Sequence, residues 1–403
     1  MSEEKLVPKL RFSGFDDEWI IKKLNDVSDV NPKTRELPEK FVYIDLDSVN
    51  HGILTKFNQI TKNEAPSRAQ RCLNVNDILF QTVRPYQMNN LFFELYDGEY
   101  VASTGYAQIK SKIVPKFLYY YLHYNKFVNE VLNRCTGTSY PAINSNDLKK
   151  IKIKIPSSSN EQRLIGDLFY KLDQKIELLK DKYNYYQDFK KFLMQQIFTQ
   201  KLRFDDNCQY KTKQVKDFLI ESKIESIDDI NKRLTVKLNL KGITVRESKT
   251  IEIEGATKQF IRKTGQFIYG KQNLHKGAFG IIPKELDGYL TSSDIPSFDF
   301  KEGIEPKWFY YYFARKSFYE KLENLSTGTG SKRISPKEFL NIKIIVPEFK
   351  EQHKIVCLLE KFDEKINEIS NQIVQMNMFK KSLLQQMFVV QLILSLLQNK
   401  KHI

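Results

Sequence analysis

Three pairs of short segments in this chain concentrate side chains that hydrogen-bond to base edges and phosphates. The first pair is Gln81-Thr82-Val83-Arg84-Pro85-Tyr86-Gln87-Met88-Asn89-Asn90 and Gly270-Lys271-Gln272-Asn273-Leu274-His275-Lys276-Gly277. It offers Arg84, Tyr86, Gln87 and Asn89 in one run and Lys271, Gln272, Asn273 and Lys276 in the other. Upstream lie Arg68 and Arg71, and correspondingly Lys258 and Arg262. Arginine and lysine pair with guanine O6 and N7, and asparagine and glutamine with adenine N6 and N7. The third pair is Thr136-Gly137-Thr138-Ser139-Tyr140 and Thr327-Gly328-Thr329-Gly330-Ser331-Lys332-Arg333. Here Thr138, Ser139, Tyr140, Lys332 and Arg333 bring hydroxyls and cations suited to phosphate oxygens. Each segment also reads as a plain turn or as ordinary variation of a surface loop.

The patterns that would carry catalysis are missing. Thr327-Gly328-Thr329-Gly330-Ser331-Lys332 lacks the spacing of a phosphate-binding loop. No G-x-G-x-x-G follows a strand and opens a helix, and the Asp/Asn-Pro-Pro-aromatic motif of amino-methyltransferases is absent. The histidines (His51, His123, His275, His353, His402) and cysteines (Cys72, Cys135, Cys208, Cys357) are scattered, without metal-ligand spacing or a C-x-x-C pair. Carboxylates near lysines mean little where 28% of residues are charged, so a nuclease reading gains no weight from them. The net charge of +15 favours a polyanionic partner. The start, Met1-Ser2-Glu3-Glu4, is not an apolar leader. The apolar run Phe388–Leu397 is interrupted at Gln391 and Ser395, and a bilayer needs about 20 residues. A soluble cytoplasmic protein without a membrane partner is expected.

The elements that must hold these loops repeat. An offset of 190 (351 − 161) aligns Glu161-Gln162 with Glu351-Gln352, Phe189-Lys190-Lys191 with Phe379-Lys380-Lys381, and Gln195-Gln196 with Gln385-Gln386. An offset of 191 aligns Tyr119-Tyr120-Tyr121 with Tyr310-Tyr311-Tyr312, and Thr136-Gly137-Thr138 with Thr327-Gly328-Thr329. Each half opens with short β-branched and aromatic runs bounded by Gly, Asn and Asp, read as strands. These include Phe41–Leu46 and Asn76–Phe80 in one half, and Thr235–Leu238 and Gly265–Tyr269 in the other. An aromatic helix follows, over Pro115–Val131 and Pro306–Leu325, with Pro at the position where its missing N–H costs nothing. Then comes the Thr-Gly-Thr loop and a strand, Ile151–Pro156 or Ile342–Pro347.

Each half closes with a helix of about 40 residues, over Glu161–Gln200 and Glu351–Leu392, roughly 60 Å long. Apolar residues step by 4 and 3 along Ile165, Phe169, Leu172, Ile176 and Leu179, and along Ile355, Leu359, Phe362, Ile366 and Ile369. That is a heptad seam, and a helix of this length needs a mate. Lys190 and Lys380 interrupt it at equivalent positions, where a polar residue fixes register or faces a partner. The expected organisation is a first strand-rich domain over 1–156, a long helix over 157–200, a second domain over 201–347, and a second long helix with tail over 348–403. Lys201-Leu202-Arg203-Phe204, after the first long helix, echoes Lys9-Leu10-Arg11-Phe12. A closed repeat therefore places the N-terminal copy beside the end of the second helix. The run Val389–Gln398 departs from its counterpart and reads either as a helix extension or as a divergent tail.

Both long helices open after Ile-x-Pro or Val-Pro with Glu-Gln and end in Lys-Lys-x-Leu-x-Gln-Gln-x-Phe, and both halves carry the Tyr-Tyr-Tyr helix and the Thr-Gly-Thr loop. In this combination the chain resembles, along essentially its whole length, the DNA specificity subunit of type I restriction-modification systems. The resemblance implies an α+β fold: two similar strand-rich target-recognition domains separated by two long antiparallel helices forming an intramolecular coiled coil, with a pseudo-two-fold cyclic repeat. It implies a non-catalytic subunit that reads a bipartite asymmetric site in double-stranded DNA. The partners implied are two modification (adenine-N6 methyltransferase) subunits docked on the helices, and restriction (endonuclease and translocase) subunits. S-adenosylmethionine, ATP and magnesium would belong to those partners, and this chain would hold no cofactor. A self-contained DNA-modifying enzyme and a protein-only coiled-coil scaffold are the alternatives.

Overall fold

The alternating Ile and Lys of Lys152–Ile155 form a strand with Ile153 and Ile155 buried and Lys152 exposed, paired antiparallel with Ile20–Lys23. Period-2 alternation gives this result whenever one face of a strand meets a core. Its counterpart, Lys343–Pro347, pairs with Tyr210–Gln214 in the same way. In this computed structural model, residues 4–247, 257–326 and 332–394 are described. The chain divides into two compact units, Met1–Lys180 with Asn371–Ile403, and Asp181–Ser370.

Unit 1 holds two four-stranded sheets. One runs Leu91–Phe92, Ile78–Gln81, Tyr106–Ser111, Ser28–Val30; the other runs Asn58–Thr61, Lys40–Ile44, Tyr100–Ser103, Ala69–Cys72. In unit 2 the principal sheet runs Leu219–Ser222, Ser297–Phe300, Phe267–Tyr269, Phe279–Ile281. The strands that feed the two polar loops, Ile78–Gln81 and Phe267–Tyr269, are buried along their length and sit inside their sheets.

The aromatic helices are shorter than the sequence suggests. Each breaks, into Pro115–Tyr121 and Asn125–Leu132 in unit 1, and into Pro306–Phe313, Lys316–Tyr319 and a 3-10 segment Glu320–Leu325 in unit 2. The break falls at Tyr124 and Arg315, whose backbones are extended. Aromatic residues lie on both sides of it, and the turn lets both pieces bury their apolar faces in one core. Phe117, Tyr121, Phe127 and Val131 share the core of unit 1.

The repeated motifs prove to be joints. Gln162 donates to the Pro156 carbonyl (2.9 Å) and accepts from the Val114 amide (3.2 Å), tying the start of the long helix to the start of the aromatic helix. Gln352 repeats this with Pro347 (3.0 Å) and Glu305 (2.8 Å). The Tyr121 hydroxyl accepts from the Lys154 amide and the Tyr312 hydroxyl from the Ile345 amide, at 3.0 and 3.2 Å. Buried Glu161 receives Arg11 through two bonds, at 2.7 and 2.8 Å, and buried Glu351 receives the Phe204 amide at 2.8 Å.

The long helices span Ser159–Phe198 and Phe349–Phe388. The second stops short of the expected Leu392 because Val390–Leu394 forms a strand antiparallel to Glu4–Pro8. A β-branched, apolar run with a mate strand available gains more from pairing than from prolonging a helix. The expected closure is present: Lys9 donates to the Val389 carbonyl at 2.9 Å and Leu10 to that of Gln386 at 3.1 Å. Leu202, the repeat counterpart of Leu10, donates to Gln196 at 3.1 Å, so the two echoes dock on equivalent glutamines.

Each unit contains half of each long helix, and the halves run antiparallel. In unit 1, Ile165 and Phe169 share a core with Leu384, Met387 and Phe388, Leu172 packs against it, Ile176 is buried and Leu179 half-buried. In unit 2, Ile355 and Leu359 share a core with Met194 and Ile197, Phe362 packs on Tyr186 and Phe189, and Ile366 and Ile369 are buried. The seam residues therefore pack helix on helix, and they face inward rather than towards a docked partner. Lys190 and Lys380 are also committed internally. Lys380 pairs with Asp173, which accepts the Tyr120 hydroxyl at 2.8 Å; Lys190 pairs with Asp363, which accepts the Tyr311 hydroxyl at 2.6 Å. Both lysines lie over the tyrosine rings, at 5.3 and 4.7 Å from the centroids. Burial, and then the bonded carboxylate, push both phenol pKa values up. Each clamp joins two long helices and one aromatic helix, so a seam lysine here fixes register. A double-mutant cycle of Lys380→Met and Asp173→Asn should return a coupling of about 1 kcal/mol in urea unfolding, since the carboxylate is partly exposed. Strict additivity would show that the clamp contributes nothing.

Candidate nucleic-acid interface

The first polar loop is held from below by a buried amide network. Gln81, almost fully buried, donates through Nε2 to the Gln87 amide oxygen (2.8 Å) and accepts from the Asn89 backbone (3.1 Å). Buried Asn90 accepts from the Gln81 amide through Oδ1 at 2.8 Å, and its Nδ2 meets His123 Nε2 at 3.3 Å. Arg84 and Met88 adopt left-handed backbone conformations, with φ of 53° and 52°, on either side of the Pro85–Gln87 turn. Such conformations cost about 1 kcal/mol or more each and persist where the surroundings impose them. They leave Tyr86 and Gln87 exposed at the tip.

His123 anchors this network to the aromatic helix. Its Nδ1 lies 2.8 Å from the Tyr119 carbonyl, which needs a donor, so Nε2 is left to accept from Asn90. Protonating Nε2 would set it against another donor. Burial, the largest cause, pulls the pKa of His123 down to about 4. The folded value lies below the ordinary 6.5, so this contribution to stability is complete above pH 6.5 and is lost as pH falls toward 4. The loss amounts to at most ~3 kcal/mol, reduced by the ring's partial exposure. In urea unfolding at pH 7.5 and 5, His123→Gln should narrow the stability difference by about 2 kcal/mol; an unchanged difference would place the acid sensitivity elsewhere.

In both units the loop after the strand is hydrogen-bonded to the loop behind the aromatic helix. In unit 1, Ile143 donates to the Thr82 carbonyl at 3.1 Å and Arg84 to that of Pro141 at 2.8 Å. The Arg84 guanidinium stacks 4.2 Å above the ring of exposed Tyr140. Thr138 and Ser139 are exposed beside it. Gly137, at φ 90°, permits the turn; a Cβ there would lie 3.1 Å from the Tyr140 carbonyl oxygen. In unit 2, Ile334 donates to the Lys271 carbonyl at 2.9 Å, and Lys271 donates to that of Asp294 at 2.9 Å. Arg333 reaches the Asp294 carboxylate at 2.9 Å. Gln272 and Lys276 are exposed, while the Asn273 carbonyl closes the turn by accepting from Lys276 and Ala278. Lys332 pairs with Glu323 at 3.6 Å, and the Thr327–Ser331 part of that loop lies outside the described residues.

The upstream clusters part company with this surface. Arg68 is exposed, and its carbonyl holds the Thr104 amide in the turn whose Gly105 carbonyl accepts from Thr82. Arg71 is half-buried with its Nε enclosed and without a hydrogen-bond partner among the described residues, and burial lowers its pKa. Lys258 is exposed and pairs with Glu225 at 3.1 Å. Arg262 must be withdrawn as a nucleic-acid contact. It is 1% exposed and donates to Thr291 (2.6 Å), Ser297 (2.7 Å) and the carbonyls of Ser222 and Ile295 (both 3.2 Å). It follows directly on the strand Gln259–Ile261, whose partner strand supplies Thr291, and a sequence run rich in cations did not reveal which way it points. Gln81, Asn90, His123 and Asp294 were not singled out by sequence; each acts through a buried or backbone contact that no spacing announces.

The sequence pattern of the type I restriction modification DNA specificity domain matches the chain twice, over residues 16–185 and 208–376. The chain belongs to the type I restriction-modification DNA specificity domain family. Each domain copy spans one strand-rich region with its joined loops and runs into the long helix that follows. Among similar proteins is the type I restriction enzyme HindI specificity subunit of Haemophilus influenzae, 27% identical over 121 residues, or 28% of this chain and 26% of that protein. Another is the MjaVIII specificity subunit of Methanocaldococcus jannaschii, 28% identical over 140 residues, 34% of this chain and 32% of that protein. These matches thus span about a quarter to a third of the relatives. Solved structures agree in fold over far more of the chain. The S subunit of a type I system from M. genitalium has a TM-score of 0.58 at 16% identity, covering 95% of this chain and 99% of that one. A chain from a study of complex assembly and conformational transition of the type I R-M system has a TM-score of 0.56 at 17% identity, with 94% and 99% covered. Among the described residues of this specificity-domain protein, no helix is long and apolar enough to cross a membrane.

Proposed function

We propose that this chain is the non-catalytic, sequence-reading subunit of a type I restriction-modification system. Each unit reads one half of a bipartite asymmetric site in double-stranded DNA through its pair of joined loops. The observation that carries this is the repeated joint itself: one framework, Thr82–Ile143 in unit 1 and Lys271–Ile334 in unit 2, presents different polar side chains. Arg84, Tyr86, Gln87 and Tyr140 stand in one, and Lys271, Gln272, Lys276 and Arg333 in the other. The chain directs two modification subunits, adenine-N6 methyltransferases using S-adenosylmethionine, and restriction subunits using ATP and magnesium, to that site. The assembly works in the cytoplasm. Sequencing of N6-methyladenine in the host genome, with the gene and after its deletion, should reveal one split motif that disappears with the gene. Methylation that persists, or turnover of DNA by the purified chain alone with S-adenosylmethionine and magnesium, would sink the reading.

A further inference from the structure

Unit 1 contains a cavity of about 430 Å³ lined by Lys126, Arg134, Lys150, Lys152 and Lys154, with Tyr121 and Tyr124 in its floor. Glu130 is the carboxylate in its lining. Arg134 leans on it at 3.7 Å, and Lys150 on Asp147 at 3.4 Å. Lys154 donates to the Val390 carbonyl at 3.4 Å, and Lys126 and Lys152 have no ion pair among the described residues. Burial and then the charge of Lys126 push the pKa of Lys154 down. Gathering cations around one concavity is unfavourable until an anion enters it.

The charge is not part of the shared framework. At an offset of 191, the counterparts of Lys126, Arg134, Lys150, Lys152 and Lys154 are Ser317, Leu325, Asn341, Lys343 and Ile345. One cation of five is kept, so packing of the common fold does not require the others. The groove's residues also flank, in the chain, the loop that carries Tyr140. Arg134 lies two residues before Thr136, and Lys150 follows the short helix Ser145–Lys149 that leaves the loop carrying Tyr140.

We infer that this groove is a phosphate-binding track for duplex DNA flanking the half-site read by unit 1. It makes backbone contacts that position the duplex and carry no sequence information. This inference rests on the proposed DNA-reading function. An acidic protein segment would satisfy the same charge, but Arg134 and Lys150 bracket the loop carrying Tyr140, which favours the duplex.

The test compares the full-length chain, in the complex in which it purifies, with the double variant Lys126→Gln, Lys152→Gln. Both lysines are exposed, so folding should survive. Duplexes carry one cognate site, with the flank beside the unit 1 half-site either long or trimmed. The double variant should lose roughly five- to tenfold affinity on the long-flank duplex and little on the trimmed one. Its log–log salt slope should be shallower by about two, the release expected for two phosphate contacts. Sequence preference should not change, and the charge reversal Lys126→Glu should enlarge the loss. Unchanged affinity and slope in a complex that still binds its site selectively would overturn the groove proposal alone. Weaker retention of protein subunits with DNA binding intact would assign the groove to an acidic protein partner and overturn it too. A native complex with no sequence preference would instead overturn the DNA-reading function.

Discussion

Under the proposed function, exchanging residues 205–335 for the corresponding segment of a relative should replace one half of the recognised motif and leave the other half intact. The segment carries Lys271, Gln272, Lys276 and Arg333 and lies within unit 2. It leaves Lys190, Asp363 and Gln352 in place but includes their partners Tyr311 and Glu305, so the donor segment must supply an equivalent tyrosine and backbone amide. Unit 1, with Gln81, Asn90, His123 and the Arg84–Tyr140 stack, is untouched. Specific protein–DNA binding exceeds non-specific binding by about 10³-fold or more, and single mismatched base pairs cost ~1–3 kcal/mol each. A new half-site should therefore exclude the old one almost completely in methylation sequencing. A motif changed in both halves would mean that the units do not read independently.

Arg262→Met should destabilise unit 2 as strongly as truncating a core aromatic residue. The guanidinium makes four hydrogen bonds to neutral oxygens and has no carboxylate among those partners. Burial pushes its pKa down to about 10, still far enough above neutrality to keep it charged. Methionine fills much of the space but leaves the Ser222 carbonyl and the Ser297 hydroxyl without this donor. Unpaired buried polar groups cost about 1–3 kcal/mol each, so a total of ~3–5 kcal/mol is expected. That is a large share of the ~5–15 kcal/mol typical of a folded domain. Arg262→Lys should rescue little, because one ammonium cannot span a fork of acceptors. The Ile295 carbonyl it holds adjoins Asp294, which supports Lys271 and Arg333. Binding of the unit 2 half-site should weaken with folding. Urea unfolding within 1 kcal/mol of the native chain would refute this role.

The repeat, the long helices, the Ile/Lys strand and the closing Lys-Leu-Arg-Phe echo were legible because each depends on local periodicity or on self-similarity. Periodicity reports which face is apolar, and a seam of 4,3 steps can only be satisfied by another helix. The break at Tyr124 and Arg315 was not legible, because an aromatic run reads the same whether one helix or two bury it. The end of the second long helix was hidden for a different reason. Whether Val390–Leu394 becomes helix or strand depends on Glu4–Pro8, which lies at the other end of the chain.

The sequence alone determined that the protein is two copies of one scaffold with divergent polar loops, since identity and difference between copies are properties of residue order. Tertiary structure decided what each polar residue does. Arg84 and Arg262 are the same residue type, both close to strands in polar segments, yet one stacks on an exposed tyrosine and the other is sealed in a core. Lys190 and Lys380 interrupt an apolar seam, and only the aspartate brought opposite each one makes them clamps. A side chain's charge is written locally, but its solvent and its partner come from distant parts of the chain. Folding therefore separates the residues free to meet a ligand from those that hold the reader in shape.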